Sequence, residues 1–202
     1  AVLPIAPDGS LLPYRTLTTV TGTNGPHRRE QNNIRPHHNP LDREGSHFFL
    51  PCKGGDVVIS YRLDAKKGVL VEAGRVAARP GAGPRHIDFH PTKKLAYVIN
   101  ELDSTITTYA KAGPRLTPLE TIPSCPPGFT GYSTGAEIAV DRAGRHVYVT
   151  NRGHDSIGVF AIDPVRGTLS PKQWVPTNGT VPRFFVFDPA QRFLYVANQG
   201  SH

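Results

Sequence analysis

The residues of this sequence that can do chemistry are His, Arg and Glu side chains standing in turn-like settings that do not require them. They fall in two series. One follows short Gly/Pro segments: Arg35-Pro36-His37-His38, Gly83-Pro84-Arg85-His86, Ala136-Glu137 and Val181-Pro182-Arg183. The other follows short apolar runs: Cys52-Lys53, Asn100-Glu101-Leu102-Asp103, Asn151-Arg152-Gly153-His154-Asp155 and Asn198-Gln199. Tight turns are satisfied by Gly, Asn, Asp and Ser. Converging guanidiniums repel one another unless an anion compensates them, so Arg85, Arg152 and Arg183 point to an anionic ligand. His86 is open between a general base and a satisfied buried imidazole. Glu101 and Glu137 are open between catalytic carboxylates and simple partners of neighbouring arginines. Asp103 and Asp155 read as turn caps. His47, His90 and His146 fall on strands or on turns of the opposite face and read as bland surface residues, and Trp174 reads as outer-strand packing. Arg28-Arg29 and Lys66-Lys67 read as solvated charge.

The elements that must position these residues are repeated. Four segments align, beginning at Leu41, Phe89, Val140 and Phe187. Each is an apolar strand, a D/H-x-x-G-like turn, a second apolar strand, a small polar loop and a third strand. The marker residues Cys52, Asn100, Asn151 and Asn198 are 48, 51 and 47 residues apart. That period is the period of four-stranded propeller blades. Runs such as Leu95–Ile99, Val147–Val149 and Phe193–Val196 are short and β-rich, and Gly, Pro, Asn and Asp punctuate them. The expected fold is all-β, a β-propeller of four-stranded antiparallel blades, about four of them present. The expected division is 1–40 (end of one blade and a connecting loop), blades at 41–86, 87–137 and 138–184, and 185–202 as the start of the next. Ala1–Leu12 reads as the tail of a preceding blade. The two incomplete ends either combine into one composite blade or leave unpaired edges through which copies self-associate. In such a blade both residue series lie on one rim.

Composition narrows the classes. The chain has 202 residues, with 23 Lys plus Arg against 16 Asp plus Glu, a formal charge of +7. Apolar residues make up 38%, too many for a disordered tail, and no run is long enough to span a bilayer as a helix. No signal peptide is visible. The basic residues do not cluster with exposed aromatics, which argues against nucleic acid. Cys52 and Cys125 make no disulfide framework and are expected as free thiols in a reducing compartment. No CxxC, HExxH or GxSxG motif is present, so no metal, cofactor or serine nucleophile is expected.

The longer motifs carry a resemblance. Gly81–Pro91 (GAGPRHIDFHP), Asn100–Thr105 (NELDST), Ala136-Glu137-Ile138, Asn151–Ile157 (NRGHDSI), Pro182-Arg183-Phe184 and Ala197-Asn198-Gln199 closely resemble motifs of the lactonase seven-bladed β-propellers. That family includes bacterial 6-phosphogluconolactonases and fungal carboxymuconate cyclases. The resemblance covers almost the whole chain and departs in places. Arg35 stands for the first histidine of a PHPH motif, leaving His37. Cys52 and His202 stand where Asp is usual, and Asn39-Pro40 weakens an inner strand.

The resemblance implies seven blades where about four are supplied. It also implies hydrolysis of a sugar δ-lactone, most simply 6-phosphoglucono-δ-lactone of the pentose phosphate pathway, in the cytoplasm. Water attack suits the residues. His86 is assigned as base, with Glu101 or Glu137 orienting it or serving instead. Arg152 and Arg85 stabilise the oxyanion or grip the anionic group. Arg183 and His154 complete the anion site, and His37 and Gln199 are further substrate contacts. Two rivals stand beside this reading: a carboxymuconate-type cycloisomerase, and a non-catalytic propeller presenting its rim to a partner.

Overall fold

The computed structural model describes residues 1–201, and His202 lies outside the described residues. Thirteen strands form antiparallel sheets in strict sequence order. The first sheet holds β1 (Phe48–Cys52), β2 (Val57–Asp64) and β3 (Val69–Ala77). The second holds β4 (Pro84–Phe89), β5 (Leu95–Asn100), β6 (Thr105–Ala112) and β7 (Arg115–Pro123). The third holds β8 (Thr134–Val140), β9 (His146–Arg152), β10 (Ser156–Ile162) and β11 (Leu169–Pro176). The fourth has only β12 (Pro182–Phe187) and β13 (Leu194–Asn198). The only helical turn among the described residues is a 3-10 turn at Lys53–Gly55. This is the all-β blade array expected from the repeat.

The first blade lacks a regular inner strand, as Pro36 and Pro40 require. Residues 36–41 meet β1 only through the bridges Pro36↔Cys52 and Leu41↔Phe48, because proline removes ladder donors. The expected unit boundaries are corrected. Those after 86, 137 and 184 fall inside β4, β8 and β12, since each inner strand pairs with the strand that follows it. The first twelve residues fold with 13–16 as a hairpin, bridged at Val2↔Thr16 and Ile5↔Leu11. Its hydrogen bonds beyond itself run to the first blade, through Arg15 to Lys66 O and Thr16 to Gly68 O. No pairing with β13 occurs among the described residues.

Burial explains why the strands stack face to face. β5 is buried along its whole length. Leu95, Tyr97 and Ile99 pack on the third blade with Ile138, Val147 and Phe160. The alternate residues Ala96 and Val98, with Tyr109 of β6, pack on Phe49 and Val58 of the first. A strand whose side chains alternate between two apolar neighbours reads as apolar throughout. Gly135 lets the third inner strand come close: a Cβ there would stand 2.6 Å from Ile99 Cγ1 and 2.8 Å from Asn100 O.

The two rims are held by different devices. On one, an aspartate opens each turn and accepts backbone N–H groups: Asp42 from Ser46 and His47, Asp141 from Arg145, Asp188 from Arg192 and Phe193. In the second blade His90, expected at the surface, is instead buried, and its Nδ1 does the same for Thr92 and Lys93. On the other rim, Asp56 and Asp155 take positive φ (47° and 53°). Asp56 accepts from Gly81 and Gly83, and Asp155 from Val181. Each thereby ties its loop to the next blade. Asp103 accepts from Thr105 Oγ1 and Arg79 Nη2. Asp103 and Asp155 are turn caps, as their sequence setting suggests.

Candidate active site

The second rim gathers the charged residues. Each of β4, β8 and β12 slips register against its partner at the same place: between Pro84 and His86, between Gly135 and Ile138, and between Pro182 and Phe184. A bulge re-aims the residues within it. The residues so re-aimed are Arg85, Ala136-Glu137 and Arg183. One residue beyond each marker stand Lys53, Glu101, Arg152 and Gln199, the same position in four successive units.

Glu101 is the hub. Its Oε1 lies 3.0 Å from Lys53 Nζ and 3.2 Å from Arg152 Nη2, and its Oε2 lies 3.0 Å from Arg85 Nε. The Arg85 Nε and Glu101 Oε2 atoms are too poorly aligned for a hydrogen bond, so that contact is ionic. Glu101, Arg85 and Lys53 are all buried. Burial alone would raise the Glu101 carboxyl. Arg152, Lys53 and Arg85 outweigh it and hold the group below the usual carboxylate range,. A carboxylate pinned ionised by three cations is a poor proton acceptor. Glu101 thus ties Lys53, Arg85 and Arg152 together.

His86 is held by a carboxylate of the neighbouring blade. Its Nδ1 lies 2.8 Å from Glu137 Oε1, and the same oxygen accepts from Ile138 N at 3.0 Å. A carboxylate only accepts, so Nδ1 carries the hydrogen. Arg85 Nη1 lies 3.0 Å from His86 Nε2 and only donates, which leaves a lone pair on Nε2. His37 Nδ1 faces the same nitrogen at 3.2 Å. His38 stacks on the His86 ring at 4.4 Å. Burial, with the charges of Arg85 and His86, lowers His37 to about 4. Burial and His86 lower His38 to about 4. Both rings are neutral at physiological pH.

The guanidiniums flank this pair. Arg85 Nη1 donates to Ala136 O at 2.6 Å and Arg152 Nη2 to Gly135 O at 2.9 Å. Both are thus fixed against the inner strand that carries Glu137. Burial, Arg152 and Arg183 pull Arg85 down to about 10 despite Glu101. Arg183 is exposed, bonds Gln199 Oε1 at 3.3 Å, and has no carboxylate partner among the described residues. The arrangement can deliver a proton acceptor on Nε2 beside positive charge that is already oriented.

His86, Glu101, Glu137, Arg152, Arg85 and His37 are brought together as expected, and Arg183 with Gln199 stands beside them. His154 makes no hydrogen bond to the cluster among the described residues: its Nδ1 bonds Ser156 Oγ at 2.7 Å and its ring packs edge-on against Phe129. Lys53, Glu30 and His38 were not among the expected site residues. For Lys53 the repeat itself was the signal, because it occupies the position of Glu101 and Arg152. A cavity of about 670 Å³ under Phe129, Tyr132 and Trp174 is lined by none of the charged cluster.

Antiparallel blades stacked around a buried ionic rim define a β-propeller segment. The chain belongs to the lactonase seven-bladed β-propeller family, whose pattern matches residues 1–202. It is 39% identical over 204 residues to the 6-phosphogluconolactonase of Bacillus subtilis (strain 168), covering 99% of this chain and 57% of that protein. It is 32% identical over 204 residues to the 6-phosphogluconolactonase of Erwinia tasmaniensis, covering 100% and 58%. A solved structure from Lactobacillus plantarum superposes with a TM-score of 0.91 at 31% identity, over 98% of this chain and 57% of that one. The periplasmic gluconolactonase of Pseudomonas aeruginosa gives 0.88 at 33% identity, over 98% and 56%. The chain thus spans little more than half the length of these relatives. No helix among the described residues is long and apolar enough to cross a membrane.

Proposed function

We propose that the protein hydrolyses a sugar δ-lactone, with 6-phosphoglucono-δ-lactone as first candidate and 6-phosphogluconate as product. The observation that carries this reading is the Glu137–His86 pair, whose unprotonated Nε2 faces the Arg85 guanidinium. Water attacks the lactone carbonyl as Nε2 takes its proton, and Glu137 stabilises the imidazolium that forms. Arg152 and Arg85 stabilise the oxyanion of the tetrahedral intermediate. Collapse breaks the ring C–O bond, and the proton on Nε2 passes to the departing oxygen. Water is consumed and no other reactant is required. Arg183, fixed by Gln199, adds positive charge for the anionic substrate. A reducing, cytoplasmic compartment goes with this reading and with two unbridged thiols,.

The test is hydrolysis of 6-phosphoglucono-δ-lactone above its spontaneous rate, by this chain and by its Arg152→Ala variant. The variant should lose at least tenfold in kcat or gain as much in KM, since losing one oxyanion donor costs about 10²–10³-fold. Equal rates for the two proteins remove Arg152 from the site.

A further inference from the structure

Besides the Glu101 hub, the same rim holds a second ionic junction of a different kind. Arg35 Nη1 and Lys53 Nζ converge on one atom, Glu30 Oε2, at 3.0 and 2.9 Å. The other oxygen of Glu30 makes no hydrogen bond among the described residues. Glu30 lies outside the blade sheets, on the connector that precedes the first inner strand. Its side chain is 39% exposed, against 10% for Glu101. Lys53 hydrogen-bonds Glu30 and, with its charge, keeps that carboxyl ionised below the ordinary range.

The cations are more rigid than the carboxylate. Arg35 has a φ of 45°, a conformation a non-glycine residue holds only under constraint,. Its Nη2 donates to Arg29 O at 3.1 Å and Asn32 Oδ1 at 2.8 Å, and its backbone N to Asn33 Oδ1 at 3.1 Å. Lys53 is buried and also bound to Glu101. Two donors fixed in direction thus meet on one oxygen of a half-exposed carboxylate whose other oxygen is unengaged among the described residues. Along the contiguous network, the cations Arg35, Lys53, Arg85 and Arg152 outnumber the carboxylates Glu30 and Glu101 by two. A phosphomonoester carries about −1.5 to −2 at neutral pH.

We propose that Arg35 and Lys53 form an anion subsite for a phosphomonoester, and that Glu30 is its resident placeholder, displaced when the phosphate enters. Lys53 and Arg152 share Glu101 Oε1, so one sugar-sized molecule can span the subsite and the reacting centre. The proposal rests on the lactonase reading only for its role in catalysis. The subsite itself is tested without turnover.

The experiment is calorimetric titration of the chain with inorganic phosphate, glucose 6-phosphate and glucose at low salt. Wild type is compared with Glu30→Gln, Arg35→Gln and Arg183→Gln, each checked for cooperative thermal unfolding. Removing the competing carboxylate should tighten phosphate and glucose 6-phosphate at least threefold, and glucose should not bind. Arg35→Gln should weaken the phosphates at least tenfold. Unchanged or weaker phosphate binding by Glu30→Gln overturns the proposal, and that variant decides alone should Arg35→Gln fail to fold. Loss of binding in Arg183→Gln with retention in Arg35→Gln overturns it as well. In the kinetic arm, Glu30→Gln lowers KM for 6-phosphoglucono-δ-lactone and leaves that for glucono-δ-lactone in place. Wild type that accelerates neither lactone ends the lactonase reading, while the titration still decides the subsite.

Discussion

The molecule contains the same acid–imidazole pair on both rims. On one, His86 Nδ1 meets Glu137 at 2.8 Å; on the other, His146 Nδ1 meets Asp141 at 2.9 Å. The lengths are nearly equal and the settings are not. Asp141 and His146 are five residues apart in one turn, and the other oxygen of Asp141 caps Arg145 N. Glu137 and His86 are 51 residues apart and belong to neighbouring blades. The second nitrogen of His86 faces Arg85 and His37. That of His146 has no hydrogen-bond partner among the described residues. An acid–histidine contact is therefore no site by itself. What the free nitrogen faces, and which charges surround it, separates a turn brace from a base.

The largest expected effect breaks this comparison at its centre. Glu137→Gln should lower kcat for lactone hydrolysis by about 10²–10⁴-fold, the usual worth of general-base assistance. Asp141→Ala should leave kcat within about twofold. Equal losses in the two variants would show that the two pairs do the same work.

A smaller effect separates the rims by acid sensitivity. His37 and His38 titrate near 4 in the folded chain and near 6.5 when unfolded. Between those values the unfolded chain binds more protons, so stability falls as pH drops from 6.5 towards 4. The melting temperature should fall on the order of 5 °C across that window. The His37→Gln/His38→Gln double variant should flatten the slope, and a slope unchanged by it would place the sensitivity elsewhere.

Smaller again is the turn brace. Asp141→Ala should cost about 1 kcal/mol, the worth of a lost cap, read as a lowered denaturation midpoint. The smallest effect is on thiol labelling. Cys52 is fully buried, and burial pushes its thiol up to about 12. Cys125 is partly exposed. One thiol should label in the folded chain and two after unfolding. Rapid labelling of both in the native state would contradict the packing of the first blade.

Much of this was legible from the residues. The marker period located the strands because each blade repeats the same burial on both faces, as β5 shows. The turn roles of Asp103 and Asp155 followed from turn chemistry, whereas the capping role of His90 did not. The choice between Glu101 and Glu137 was not legible. It depends on register slips inside β4 and β8, which turn Glu137 towards His86 and leave Glu101 among cations. Such slips follow from three-dimensional pairing and leave no mark in a period of about fifty residues. Glu30 was invisible for a related reason, since it lies on a connector outside the repeat. Lys53 was hidden in plain register, because Cys52 replaces the asparagine that marks the other units. The motif of His154 is shared with functional neighbours, while Phe129 and Ser156 hold its ring.

The position after each marker holds Lys53, Glu101, Arg152 and Gln199, each at the end of the second strand of its blade or just beyond it. Their side chains, rather than their backbone, set the charge of the rim. Duplication of one blade thus supplies several sockets facing a common space, three of them coupled through Glu101, and substitution at a single codon per blade rewrites the charge pattern there. A scaffold of this kind can shift its substrate preference one socket at a time, and a library confined to these four codons would sample that freedom directly.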